Sequence, residues 1–251
     1  MLLSLDHKSR SIVARLELRW VRPQDTVHTD RLISASGIAL WLLPSAPESA
    51  LLQQLMDRHP EPGTEHSFPH FLPHVTLALT PPSKHLSPAA RAAIVLTLRE
   101  AIPLGQRAVP VRFARVVAGD HYHRSVFVAL APSPELVGLR ATLAAAGTLH
   151  PPSFPHLSLY YIADEEAHTR ERLLQEMERE GVVRNAVDGQ EAVLQCAGVG
   201  AGTGADGAGS GTGNGAALTG FTGTQLWIVD CEGPVKGWEV LDKILLAQSD
   251  H

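Results

Sequence analysis

Two stretches of the chain carry the same chemistry-bearing pattern. Phe71-Leu-Pro-His74-Val-Thr76-Leu77 is echoed by Ser153-Phe-Pro-His156-Leu-Ser158-Leu159, each reading Pro-His-apolar-hydroxyl-Leu. The copies lie 82 residues apart, His156 against His74. Side chains alternate faces along a strand, so an imidazole and a hydroxyl two residues apart point to the same side. His74 and Thr76 then face one way and Val75 and Leu77 the other, and His156 and Ser158 repeat the arrangement. If two such strands meet, two imidazoles and two hydroxyls line one cleft. That set suits the opening of a cyclic phosphate. A neutral His takes a proton from the attacking water, and a protonated His gives one to the departing oxygen. The hydroxyls donate to the non-bridging oxygens, whose charge must be held through the transition state. The chemistry needs no metal and no cofactor. A lone His-x-Thr occurs by chance in many chains. Repetition with matching flanks is what favours catalysis over the plainer reading, two ordinary strand histidines.

Both motifs need strands to aim them, and the pattern supplies strands. Ile38–Leu43 is a continuous apolar run ended by Pro44, and residues 74–79 and 156–162 read as two more strands. Further strands are expected at 109–118 and 126–131 around a Gly119-Asp120 turn, and at 190–197 and 225–230. Helices are expected from Ser45 to His59, with Ser45 as cap and Glu48 three residues on. Two more open behind Ser87-Pro88 and Ser133-Pro134, and a charged one runs from Asp164 to Glu180. The tail, 235–246, reads as a short helix. Several strands follow one another with no helix between, which favours α+β with antiparallel or mixed sheets over a doubly wound parallel sheet.

Composition narrows the partners. The chain has 251 residues, 44% hydrophobic and 19% charged, values of a globular protein. Its net charge of −5 argues against long DNA or RNA, yet leaves room for one small anionic ligand. Two Cys, Cys196 and Cys231, exclude a disulfide-rich scaffold and a four-Cys zinc site, and reduced buried thiols are expected. No apolar run approaches the roughly 20 residues of a membrane span. Leu2-Leu-Ser-Leu5 is too short for a signal-peptide core. Residues 1–35 are expected to be a disordered extension or an over-extended start, a weakly amphipathic basic presequence being the alternative. Residues 36–247 are expected to form one domain. Within it, 10 of the 23 residues from Gly198 to Gly220 are glycine. That stretch lacks a strand-to-helix setting and a Gly-Lys-Ser/Thr, so it reads as a flexible hairpin insertion rather than a phosphate loop.

Other histidines compete for attention. His66, His70 and His74 are spaced by four, as ligands on a helix can be, but Pro69 and Pro73 rule out a continuous helix, and no metal site is expected. His70 sits in a second Phe-Pro-His, but Leu72 stands where the hydroxyl belongs. His121 and His123 lie near a turn where they could edge the cleft, but solvated loop residues are the favoured reading.

On its two motifs the chain resembles the 2H phosphoesterases, and within them the fungal and plant 2',3'-cyclic nucleotide phosphodiesterases. The resemblance runs from Gly37 to Leu246. Beyond the two motifs it rests on Ile38-Ala-Leu-Trp41, the Gly119–Phe127 turn and strand, Tyr160-Tyr161 and Cys231-Glu-Gly-Pro-Val235. It implies a bilobal α+β fold, with two antiparallel or mixed sheets facing a central cleft and helices outside. It implies metal-independent hydrolysis of 2',3'-cyclic nucleotides to 2'-phosphates, and of ADP-ribose 1'',2''-cyclic phosphate, a by-product of tRNA splicing, to the 1''-phosphate. By the same resemblance His74 and His156 are catalytic, as acid and base respectively. Thr76, Ser158 and Tyr161 bind the phosphate, and Tyr122 stacks on the substrate base. A monomer acting on a small cyclic phosphate is implied, Golgi-associated as in fungal relatives and otherwise cytoplasmic. Two alternatives stand beside it: a non-catalytic binder of RNA terminal or cyclic phosphates, and a phosphodiesterase of RNA ends.

Overall fold

A computed structural model describes residues 37–58, 66–80, 86–146, 149–185, 191–196 and 216–248. The expected N-terminal extension and residues 198–215 of the Gly-rich insertion lie outside the described residues. The order of elements is β1 (Ile38–Pro44), α1 (Ala46–Met56), β2 (Val75–Leu79), α2 (Pro88–Glu100), β3 (Val109–His121), β4 (Arg124–Ala131) and α3 (Pro134–Ala145). Then come β5 (His156–Tyr160), α4 (His168–Arg179), β6 (Val183–Arg184), β7 (Val193–Gln195), β8 (Ala217–Leu218), β9 (Gly220–Asp230) and β10 (Glu239–Leu245).

The Ser-Pro pairs start helices as their chemistry requires. Ser87 Oγ accepts the Ala90 N–H and Ser133 Oγ the Leu136 N–H, both at 3.2 Å, while the prolines occupy positions where a missing N–H costs nothing. At α1 the Glu48 carboxylate turns back to accept the Ser45 N–H at 3.3 Å, and it also accepts the Thr222 N–H at 3.1 Å, tying the helix to β9. The segment from Asp164 to Glu180 divides into a 3-10 turn, Asp164–Glu166, and α4.

Seven strands form one sheet in the order β1-β2-β5-β4-β3-β9-β10, and β1 also pairs with β9, so six of them close into a ring with β10 on its outer edge. Every pairing in the ring is antiparallel. The fold is α+β, as expected. The two sheets anticipated from the sequence are the two arcs of this ring, β9-β1-β2 and β5-β4-β3. A smaller sheet, β6-β7-β8, stands apart.

Alternation gives the ring two chemically distinct faces. Leu42, Val75, Leu157 and Val128 lie side by side across four strands and are fully buried. They share a core with Leu52 and Leu55 of α1, Leu98 of α2, Leu136 and Leu143 of α3 and Leu173 of α4. The helices therefore cover this face. The other face carries a second, smaller apolar cluster around Trp41, Leu43, Val229 and Cys231, to which no helix contributes among the described residues.

One element differs in kind from expectation. The tail is no helix: a 3-10 turn at Val235–Gly237 leads into strand β10. Pairing with the free edge of β9 satisfies a row of backbone groups that a helix would leave exposed. Lys243 lies directly across from Trp227, its ammonium 3.9 Å from the ring centroid.

Candidate active site

The seam between the two arcs is the pair Val75–Leu157, joining β2 to β5. In an antiparallel pair the flanking residues face each other crosswise, which sets His74 opposite Ser158 and Thr76 opposite His156. Trp41 on β1 is the register partner of Thr76, and Ala129 on β4 that of His156. The four residues singled out by the repeat thus meet on the face the helices leave open.

Each Pro-His pair also fixes its imidazole. The His74 Nδ1 lies 2.7 Å from the Leu72 carbonyl, and the His156 Nδ1 lies 3.3 Å from the Phe154 carbonyl. Each carbonyl belongs to the residue before the proline, which the ring holds extended. Nδ1 can only donate to a carbonyl, so each ring is held as the Nδ1–H tautomer with Nε2 as its basic nitrogen.

His74 is 5% exposed, stacked on Trp41 at 3.7 Å with Phe71 edge-on at 6.0 Å. Burial lowers its pKa to about 4, against the opposing pull of the Leu72 carbonyl, and His123 adds a smaller lowering. His156 is flanked by Phe127 and Phe154, both at 5.4 Å. Burial lowers its pKa to about 3; the Phe154 carbonyl opposes this, and the charges of Arg124, His74 and Arg140 lower it further. Both imidazoles are therefore neutral at pH 7. They differ in their neighbours: two guanidiniums act on His156, whereas the Coulombic neighbour of His74 is another histidine.

The hydroxyls differ too. Thr76 is partly exposed on the site face. Ser158 is 5% exposed and donates to the His123 carbonyl at 2.7 Å. The Tyr161 phenol hydrogen-bonds with the Ser158 side chain and stacks on Phe71 at 4.0 Å; burial pushes its pKa up, so it remains a neutral donor. Tyr122 donates to the His66 carbonyl at 3.0 Å and sets its ring edge-on to His123 at 4.8 Å.

His123 is not the solvated loop residue anticipated from sequence. It is partly buried in the β3–β4 turn, against Tyr161 at 5.1 Å and Trp238 at 6.2 Å, and burial lowers its pKa to about 4. The turn is pinned inward. The buried Ser125 hydroxyl lies 2.8 Å from the Tyr122 carbonyl and accepts the Ile162 N–H at 2.9 Å. A Cβ at Gly119 would stand 2.1 Å from the Arg124 carbonyl oxygen, so only glycine permits this hairpin. Trp41 and Trp238 were also missed as site residues. Their sequence signals were a tryptophan whose alternation turns it away from the core, and one following the Cys231–Val235 stretch.

The decoys separate from the site. Residues 66–74 contain no helix, His70 lies 3.5 Å from Asp57, and His74 alone of that trio joins the motif pair. Cys196 and Cys231 are buried and unpaired. No helix among the described residues is long and apolar enough to cross a membrane.

Residues 36–246 match the family described as cyclic phosphodiesterase-like protein, and the chain belongs to that family, a branch of the 2H phosphoesterases. Membership makes phosphodiester hydrolysis its class of reaction. Among solved structures the chain is similar to Escherichia coli LigT in apo form, at 15% identity and a TM-score of 0.41 over 85% of this chain and 98% of that one. LigT complexed with ATP gives 14%, 0.43, 85% and 98%. A protein described only as a phosphoesterase gives 16%, 0.41, 85% and 99%. No curated protein matches.

Proposed function

We propose that the protein hydrolyses 2',3'-cyclic nucleotides to nucleoside 2'-phosphates, without a metal, using His74 and His156. His156 takes a proton from water as the water oxygen attacks phosphorus. The P–O3' bond breaks, and the departing 3' oxygen takes a proton from His74. Thr76, Ser158 and Tyr161 donate to the non-bridging oxygens. Exchange with solvent then returns both imidazoles to their starting forms.

The crosswise placement of the two motifs about Val75–Leu157 carries this reading. The charged neighbours of the two histidines support the assignment of roles. Burial above all, with Arg124 and Arg140 adding to it, keeps His156 unprotonated, as a base must be. The Coulombic neighbour that lowers His74 is only His123, and the negative charge of a bound phosphate raises its pKa and loads it with the proton it must give. Ser158 must turn its proton from the His123 carbonyl to the phosphate when substrate binds. ADP-ribose 1'',2''-cyclic phosphate offers the same five-membered cyclic diester, and hydrolysis to the 1''-phosphate is the corresponding reaction. It would place the protein downstream of tRNA splicing.

The test is direct. Adenosine 2',3'-cyclic phosphate, ADP-ribose 1'',2''-cyclic phosphate and an oligonucleotide with a cyclic end are incubated with the full chain, and the isomer formed is identified. Turnover to the 2'-phosphate, lost in His74→Ala and His156→Ala while both stay folded, is expected. Full activity in both variants overturns the proposal, and stoichiometric binding without turnover would favour a binder instead.

A further inference from the structure

β5 ends at Tyr160, so Tyr161 lies one residue beyond the strand. Ser158, three residues earlier, is held within the strand, opposite Phe127 of β4. The two hydroxyls that meet on the site face therefore have different supports. The residue after Tyr161 is pinned at both of its backbone groups by side chains. The Ile162 N–H donates to the Ser125 hydroxyl at 2.9 Å, and the Ile162 carbonyl accepts from the Arg170 guanidinium at 2.7 Å. Ser125, on β4, is fully buried. Its oxygen also stands 2.8 Å from the Tyr122 carbonyl, 3.1 Å from that of Ile162 and 3.2 Å from that of His121. A hydroxyl has one proton to give. Arg170 already serves the Ile162 carbonyl, and the Tyr122 carbonyl is the nearest of the three, so it takes that proton.

These bonds close a circuit. Ser125 joins the Ile162 N–H to the Tyr122 carbonyl, and the next residue of the turn, His123, offers its carbonyl to the Ser158 hydroxyl at 2.7 Å. The Ser158 side chain meets the Tyr161 phenol, and Tyr161 leads through one peptide bond back to Ile162. We propose that Ser125 is a positioning residue whose buried hydroxyl sets the Tyr161 phenol against Ser158 at the phosphate. This role rests on the functional reading above and adds to it a residue that touches no reacting atom.

The chemistry of the corner calls for a hydroxyl. One small group must accept an N–H and donate to a carbonyl in the same buried space, and alanine would leave both backbone groups unpaired. The turn and the backbone behind Tyr161 would then relax apart and carry the phenol away from Ser158. A neutral donor gains worth as charge builds on the non-bridging oxygens, so its misplacement costs kcat more than KM. Two other bonds tie the same backbone to the segment before the first motif. The Phe68 N–H donates to the Tyr161 carbonyl at 2.8 Å, and the Ala163 N–H donates to the Ser67 hydroxyl at 2.9 Å. They hold this corner independently of Ser125, so a variant there reports on position.

The test is a double-mutant cycle in kcat on adenosine 2',3'-cyclic phosphate. Ser125→Ala in the wild-type chain should lower kcat about ten-fold, with a smaller change in KM. In the Tyr161→Phe background, which has no phenol to place, the same change should cost less than about three-fold. Equal losses in the two backgrounds, the mark of a merely structural role, overturn the role of Ser125 and leave the phosphodiesterase standing. An unchanged kcat in Ser125→Ala does the same. If Ser125→Ala does not fold, Ser125→Cys, close in shape but a weak hydrogen-bonding group, goes through the same cycle, and the same outcomes decide. Absence of turnover by the wild type overturns the functional reading, and the role of Ser125 with it.

Discussion

Val75 on β2 pairs with Leu157 on β5, and this contact joins two histidines 82 residues apart. Both residues are fully buried, and each is flanked by one histidine and one hydroxyl of the site. The core face holds the pair together, and the opposite face receives the two histidines and the two hydroxyls. The placement of these four side chains is thus coupled to apolar packing one residue away.

Leu157→Ala tests that coupling. Truncating a fully buried leucine destabilises by about 2–5 kcal/mol, through lost burial and the cavity left behind. A fall in the urea midpoint, with lower kcat in the remaining folded protein, is expected. Unaltered stability would show that the seam does not bear on the core.

The assignment of acid and base is separable by leaving group. His74→Ala should lose roughly 10²–10⁴-fold in kcat on a cyclic nucleotide, and far less on a phosphodiester with an activated aryl leaving group, which needs no proton. His156→Ala should lose activity on both. The reverse pattern would exchange the two roles.

Activity should carry the mark of the asymmetric charges. A bound phosphate anion raises the pKa of His74, so the basic limb of kcat should lie at higher pH than that of kcat/KM, which reports the free enzyme. Arg124→Gln removes one of the charges that lower the pKa of His156. The acidic limb of kcat/KM should move to higher pH in that variant. A limb that stays in place would remove Arg124 from the account.

Stability should fall in mild acid. An unfolded imidazole titrates near 6.5, whereas burial holds His74 at about 4 and His156 at about 3. Between those values the unfolded chain binds protons that the folded chain refuses. The contribution is full above about pH 6.5 and is lost as pH falls towards 4 and 3, at up to about 1.4 kcal/mol per pH unit for each imidazole. Urea unfolding at pH 7 and pH 5 measures it, and His74→Asn should weaken the dependence. Equal midpoints at the two pH values would contradict neutral burial.

Much of the site was legible because its signals are local. Strand alternation has a period of two, so the repeat alone said that His74 and Thr76 share a face, as do His156 and Ser158. The Ser-Pro pairs announced α2 and α3, because capping is decided within four residues. The tail was misread, since β10 exists through the free edge of β9, a partner that no local pattern names.

By itself, the sequence determined which four side chains carry the motif chemistry and which way each points along its own strand. Tertiary structure alone decided that the two strands are neighbours, in a register that crosses histidine with hydroxyl. It also decided that Arg124 and Arg140 stand where they lower the pKa of His156, and that His123 and Trp238, far apart in the chain, come within 6.2 Å of each other. The reason is range. Alternation and capping depend on the next few residues, whereas burial, electrostatic neighbours and ring-to-ring spacing depend on how the closed sheet brings distant segments together.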